Sequence, residues 1–281
     1  MKFKSINDFL VHVQAELNSN RLILPSLPDI VFKVQAAVNK ESSTTQDLAD
    51  IISTDPALSA RLIQVANSPI YRRQVAIKDV KLAISLLGNK TVSTLVSILL
   101  MRNMYTPSSP LLKEHFHKVW EDSVNISAIS RALASFTPHL SPDEAMLAGL
   151  IHQIGKLPIL MLVEQLPEFK DHPIRLAKLL EKAHTPIGKL IMNTWDFPES
   201  LKLPAYEYLN FNKVSDEPAS YVDIVQVAYL QSISGSNNKA CQLDWSKIQS
   251  FQKIGLAPEI EVVEMEGIPE RIHAAKQQLA M

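Results

Sequence analysis

Helix starts recur along this chain in one form, a capping side chain followed by proline. Asp55-Pro56, Ser141-Pro142 and Thr185-Pro186 all have it. Proline at the first helical position loses nothing, because its missing N–H would be unpaired there anyway. Ser141 has Glu144 three residues on, and Thr44 has Asp47, the spacing of a capping box. Asn67 after Ala57–Ala66 and Gly88 after Val80–Leu87 stand where helices end. Between these marks the apolar residues recur every three or four positions, as in Ile6, Phe9, Leu10, Val13 and Leu17, or Val92, Leu95, Val96, Leu99 and Leu100. Leu111–Phe136 holds neither Pro nor Gly and predicts one long helix. Tyr221–Ile233 is apolar on several sides and predicts a buried one. Pro258–Glu266, acidic and apolar by turns, predicts an amphipathic helix with an acidic face. No strand alternation and no Asn-Gly or Asp-Gly hairpin signal occurs. The reading is all-α, with a dozen or more short helices.

Glycine scarcity, seven in 281 residues, argues against glycine-rich phosphate loops. Gly155-Lys156 is the nearest approach to one and has a single glycine. The lone Cys241 excludes a disulfide framework and a cysteine-based zinc cluster. Lys plus Arg total 28 against 29 for Asp plus Glu, a net charge of -1 that disfavours nucleic acid and anionic membrane as partners. Tyr71-Arg72-Arg73 with Lys78 and Lys81 is a small basic spot, read as solvated surface. No segment reads as a signal peptide or bilayer span, so a soluble cytoplasmic protein is expected. Thr106–Pro110, with prolines around polar residues, marks a soft boundary. The expected organisation is a single unit over 1–281, with an N-terminal helical half (1–107), a second half (108–239) and a helical C-terminal tail (240–281).

Three groups of residues in the N-terminal half occur together: Leu24-Pro25-Ser26-Leu27-Pro28, Thr54-Asp55-Pro56-Ala57-Leu58 with Val65-Ala66-Asn67-Ser68, and Ala83-Ile84-Ser85-Leu86-Leu87-Gly88. Trp120 follows, then Ala148-Gly149-Leu150-Ile151-His152-Gln153-Ile154-Gly155-Lys156. In order and spacing this resembles the HDOD family, the HD-related output domains of bacterial signalling proteins, from about Leu24 to Leu230. The resemblance implies an N-terminal helical half packed on a degenerate HD-like half. On the residues alone, Asp55 caps the helix that Pro56 starts, Asn67 and Ser68 close it, and Gly88 ends the next. All five have structural roles without further assumption.

The wider HD superfamily hydrolyses phosphate esters with metal ions held by histidine and aspartate. The resemblance places its ligands here one by one. Asp122 stands where the first histidine belongs. His152 keeps the histidine of the name-giving pair, and Gln153 replaces its aspartate. A later histidine pair is replaced by Tyr208-Leu209, and the last aspartate by Tyr229. His184 and Trp195 fall where the family has a histidine and a tryptophan. An amide and a phenol are poor ligands at neutral pH. The resemblance therefore implies a non-catalytic regulatory or binding module in bacterial signal transduction, with no cofactor or metal. Its partner would be another signalling protein or a small ligand. The alternative is a metal-dependent HD-superfamily phosphohydrolase with residual activity through His152 and Asp122. The vestigial ligand positions Asp122, His152, Gln153, His184 and Tyr229 are expected to share a polar pocket. Taken alone, His152 reads as a core histidine on an apolar helix, and His184 as the end of a turn before Thr185-Pro186. Trp120, Trp195 and Trp245 read as packing anchors.

Overall fold

The computed structural model describes residues 6–18, 28–40, 42–71, 76–105, 112–163, 172–195 and 197–280, and every regular element among them is helical. The N-terminal half consists of α1 (Ile6–Asn18), α2 (Asp29–Asn39), α3 (Thr45–Ser53), α4 (Pro56–Ala66), α5 (Val80–Leu87) and α6 (Asn89–Met101). Then come α7 (Lys113–Ala134), α8 (Pro142–Ile151), α9 (Lys156–Val163), α10 (Pro173–Thr194), the single turns α11 (Glu199–Lys202) and α12 (Pro204–Glu207), and α13 (Tyr221–Ile233). Two last helices, α14 (Gln249–Ile254) and α15 (Ile268–Ala280), follow short 3-10 turns. Leu24–Leu27, Arg72-Arg73 and the Thr106–Pro110 boundary lie outside the described residues.

The caps explain why these helices begin where they do. Thr44 and Asp47 close a complete box at α3. Asp55 Oδ1 accepts the N–H groups of Ala57 and Leu58, each at 3.0 Å, at the start of α4. Ser141 forms only half a box. Its hydroxyl accepts the Glu144 N–H at 3.4 Å, but the Glu144 carboxylate turns to Lys90 and Tyr221 instead. Gly88 ends α5 with φ +87°, a conformation that L side chains rarely adopt. The Asn67 amide bonds Ile63 O and also takes both backbone groups of Ile77, at 2.8 and 2.9 Å. Ser68 contributes through its backbone, and its buried hydroxyl has no partner among the described residues.

Two expectations are corrected. Thr185-Pro186 does not start a helix, because α10 runs through it from Pro173, with Pro186 inside. An interior proline costs about 3 kcal/mol. Against that, Leu176, Leu179, Ala183, Ile187 and Ile191 form one buried stripe along α10, and each larger side chain contributes about 1.5–3 kcal/mol. Packing wins over local propensity. Pro258–Glu266 forms no α-helix, only a 3-10 turn at Val262–Glu264. Its backbone is held by α13, where the Gln231 amide donates to Ile260 O and accepts from the Val262 N–H, both at 3.1 Å. Of its apolar residues only Val262 is buried.

At the centre α7 and α8 pack closely. Gly149 makes this possible, since a Cβ there would lie 2.6 Å from Ser127 Cα. One core runs continuously from Phe9 on α1 to Leu279 on α15. Contacts between the halves include α6 on α8 and α1 on α10, and α15 packs along α7. The start of α8 is tied by charge. Asp143 accepts from the Tyr71 hydroxyl and pairs with Arg131 at 3.1 Å. Glu144 pairs with Lys90 at 2.9 Å and accepts from the Tyr221 hydroxyl. Pro142–Val163 is the one stretch among the described residues long and apolar enough to cross a bilayer, and 89% of its most apolar 18-residue window is buried in the fold.

Candidate functional site

The chain between α8 and α9 is a tight turn, residues 152–155, and it carries the residues of interest. His152 is therefore the C-cap of α8 and does not continue an apolar helix as expected. Gly155 closes the turn against α10, where a Cβ would come within 2.0 Å of His184 O. That close approach brings His184 beside His152.

Both histidines are buried, at 1% and 2% exposure. His152 Nδ1 lies 2.6 Å from Gly149 O, and His184 Nδ1 lies 2.7 Å from Leu180 O. A carbonyl oxygen only accepts, so each Nδ1 carries the ring proton and each Nε2 presents a lone pair. His184 Nε2 accepts from the Tyr208 hydroxyl at 2.8 Å. The Tyr208 ring also stands edge-on to His152, with centroids 4.8 Å apart, so one buried tyrosine bridges the two histidines. Burial lowers both imidazoles to about 3, and the nearby Lys156 ammonium pushes the same way. They are neutral at pH 7. Burial also raises the Tyr208 phenol well above its ordinary value, so it remains a donor.

Gln153, 2% exposed, is fully engaged. Its amide donates to Val119 O at 2.9 Å and to Ser123 Oγ at 3.1 Å on α7. Its carbonyl oxygen accepts from the Lys156 ammonium. Burial lowers Lys156 to about 8, while Asp122 and Glu181 favour its charge and Lys118 opposes it. Asp122 lies in the field of Lys156 and Tyr208, but its direct partner is Lys118, at 2.8 Å. The Tyr229 ring packs edge-on to Tyr208 at 5.3 Å. Its hydroxyl accepts from Asn238 at 3.0 Å, so Tyr229 joins this group through its ring. Trp195 is buried, while Trp120 packs edge-on to Tyr105 and Trp245 stacks on Phe251.

His152, Gln153, His184 and Tyr229 thus meet around Tyr208 and Lys156 in a packed polar cluster, with Asp122 near enough to act on both by charge. Sequence reasoning missed Lys156 as a member and took Tyr208 only as a lost histidine. Residues 152–155 form a turn, so Lys156 reaches Gln153 from the start of α9 and no helical spacing announces the contact.

This donor set does not fit an HD-type metal centre. Both His184 nitrogens are engaged, the position beside His152 is an amide holding an ammonium, and Asp122 faces Lys118. Among the described residues no three His, Cys, Asp or Glu side chains are grouped to hold an ion.

A family model, that of the HDOD domain, matches residues 24–208. The fold is similar to that of a provisionally named metal-dependent phosphohydrolase from Shewanella amazonensis SB2B, with TM-score 0.82 and 27% identity over 98% of this chain and 99% of that one. It is also similar to an HDOD domain protein of unknown function from Geobacter sulfurreducens, with TM-score 0.64 and 20% identity over 92% and 93% of the two chains. A provisionally named signal transduction protein from Marinobacter aquaeolei VT8 gives TM-score 0.63 and 20% identity, over 93% of this chain and 61% of that one. No curated protein matches.

Proposed function

This chain belongs to the HDOD domain family, and from that membership we propose that it is a non-catalytic regulatory or binding module of bacterial signal transduction. Its partner is another signalling protein or a small ligand. The HD-type metal site is eroded, and its residues now serve as a hydrogen-bonded core. The observation that carries this reading is the Lys156–Gln153 bond at the position where a hydrolase of the superfamily needs a metal-binding carboxylate. Metal-assisted hydrolysis requires an open coordination position and a held water. A lysine ammonium on the key acceptor and a tyrosine hydroxyl on His184 oppose both requirements.

The second reading, a residual metal-dependent phosphohydrolase, is favoured by the name given to the Shewanella amazonensis protein and by the retained His152 and His184. One experiment separates the two. The purified chain is assayed with phosphomonoesters, nucleotides and cyclic dinucleotides in Mg2+, Mn2+ or Zn2+, alongside metal analysis. The regulatory reading expects no turnover above a His152→Ala control and no stoichiometric ion. Metal-dependent turnover abolished by His152→Ala would establish the hydrolase instead.

A further inference from the structure

The misfit between this crevice and a metal ion has a specific chemical form. A metal site is a set of lone pairs converging on a positive charge. Here the lone pairs remain in part: Gln153 Oε1, the Nε2 of neutral His152, and the nearby Asp122 carboxylate. A positive charge is also present. It is carried on the Lys156 side chain, which leaves the first residue of α9 and returns to the turn that bears His152 and Gln153.

We propose that the Lys156 ammonium is the resident cation of this crevice, a tethered replacement for a metal ion that keeps divalent cations out. The inference rests on the reading of an eroded metal site given above and adds the agent that maintains it. Three observations carry it. The ammonium bonds the residue that replaces the metal-binding aspartate. It stands on the first residue of α9, directly after the turn that bears His152 and Gln153 and that Gly155 seats against the His184 backbone. Its surroundings include the Asp122 and Glu181 carboxylates, which favour its charge, and the cation Lys118 is already held by Asp122. Such surroundings suit a cation and not a phosphate. An ammonium bonded to Gln153 and in the field of Asp122 repels a divalent ion in this poorly screened place. Gln153 completes the exchange. An ammonium needs only acceptors, and a neutral amide supplies one while its NH2 group ties the turn to α7.

The test restores the aspartate with and without the ammonium. Gln153→Asp and Gln153→Asp/Lys156→Met are compared with the unaltered chain by calorimetric titration with Co2+, whose visible absorption reports nitrogen and oxygen coordination. The expected result is weak binding by Gln153→Asp, because the new carboxylate pairs with Lys156. The double variant should bind one Co2+ at least about tenfold more tightly, and His152→Ala in that background should abolish the signal. Equal affinity in the single and double variants would overturn the proposal, since the amide and not the ammonium would then be the barrier. If the methionine variant fails to fold, Gln153→Asp/Lys156→Gln is read by the same two outcomes. Tight Co2+ binding with turnover by the unaltered chain would instead overturn the regulatory reading itself, a result distinct from either.

Discussion

The two ends of α8 solve the same problem in opposite ways. Both bury polar groups between helices. At the N-terminal end Asp143 and Glu144 are partnered by Arg131, Lys90 and two tyrosine hydroxyls. Carboxylates are favoured there, because the free N–H groups of a helix start carry partial positive charge. At the C-terminal end His152, Gln153 and His184 are neutral and satisfied by carbonyls, a serine and a tyrosine. The Lys156 charge at that end rests on an amide. The comparison teaches that a charged buried cluster depends on each partner staying in place, whereas a neutral one depends on its groups staying unprotonated.

The sharpest way to break the first arrangement is Asp143→Ala. It leaves Arg131, only 13% exposed, without its ion partner and removes the acceptor of the Tyr71 hydroxyl. Loss of one member of a buried pair destabilises by about 3–5 kcal/mol, and urea denaturation should show a loss in that range. A loss under about 1 kcal/mol would mean that the pair behaves as a solvated surface bridge.

The second arrangement should break with acid. Both histidines titrate near 3 when folded and near 6.5 when unfolded, so between those values the unfolded chain binds more protons and stability falls as pH falls. The expected loss from pH 7.5 to pH 5 is about 2 kcal/mol for each histidine. Denaturant midpoints at the two pH values check it, and His184→Gln should remove about half of the slope. A flat profile over this window would show that the imidazoles titrate alike in the folded and unfolded chain, and a gain in stability on acidification that they are held protonated in the fold.

The smallest effect is expected from Tyr208→Phe. It keeps the ring against His152 but leaves His184 Nε2 without its donor, which costs about 1–3 kcal/mol. Thermal and urea unfolding measure it. Loss of the bond should also raise the His184 pKa, detectable by NMR titration, since the freed lone pair can take a proton.

Legibility in the sequence followed the range of the interaction. Asp55 capping α4, the Thr44–Asp47 box and the end of α5 at Gly88 are local events within one turn, and spacing alone reveals them. The long helix α7 and buried α13 were equally visible, because apolar runs and missing breakers are also local. Thr185-Pro186 misled because its local signal is real but weaker than the buried stripe of α10. Pro258–Glu266 misled because Gln231, about thirty residues away, determines its backbone. The candidate site divides in the same way. The positions of Asp122, His152, Gln153, His184 and Tyr229 came from the family pattern. The turning away of the Tyr229 hydroxyl and the bridging by Tyr208 depend on how α12, which Tyr208 directly follows, packs against α10 and α13, which no spacing encodes.

Asp143 and Glu144 are neighbours on a helix, so their side chains leave the axis about 100° apart. Each holds one residue from the N-terminal half and one from the second half: Tyr71 and Arg131 for the first, Lys90 and Tyr221 for the other. One fastening between two bodies is a pivot, about which they can swing. Two fastenings aimed in different directions resist torque, so neither can act as an axle for the other. Rotation of one half on the other must then break both at once. A displacement imposed on one face of this molecule would then be carried across it as through a stiff plate, and would appear at the edges and not at a hinge between the halves.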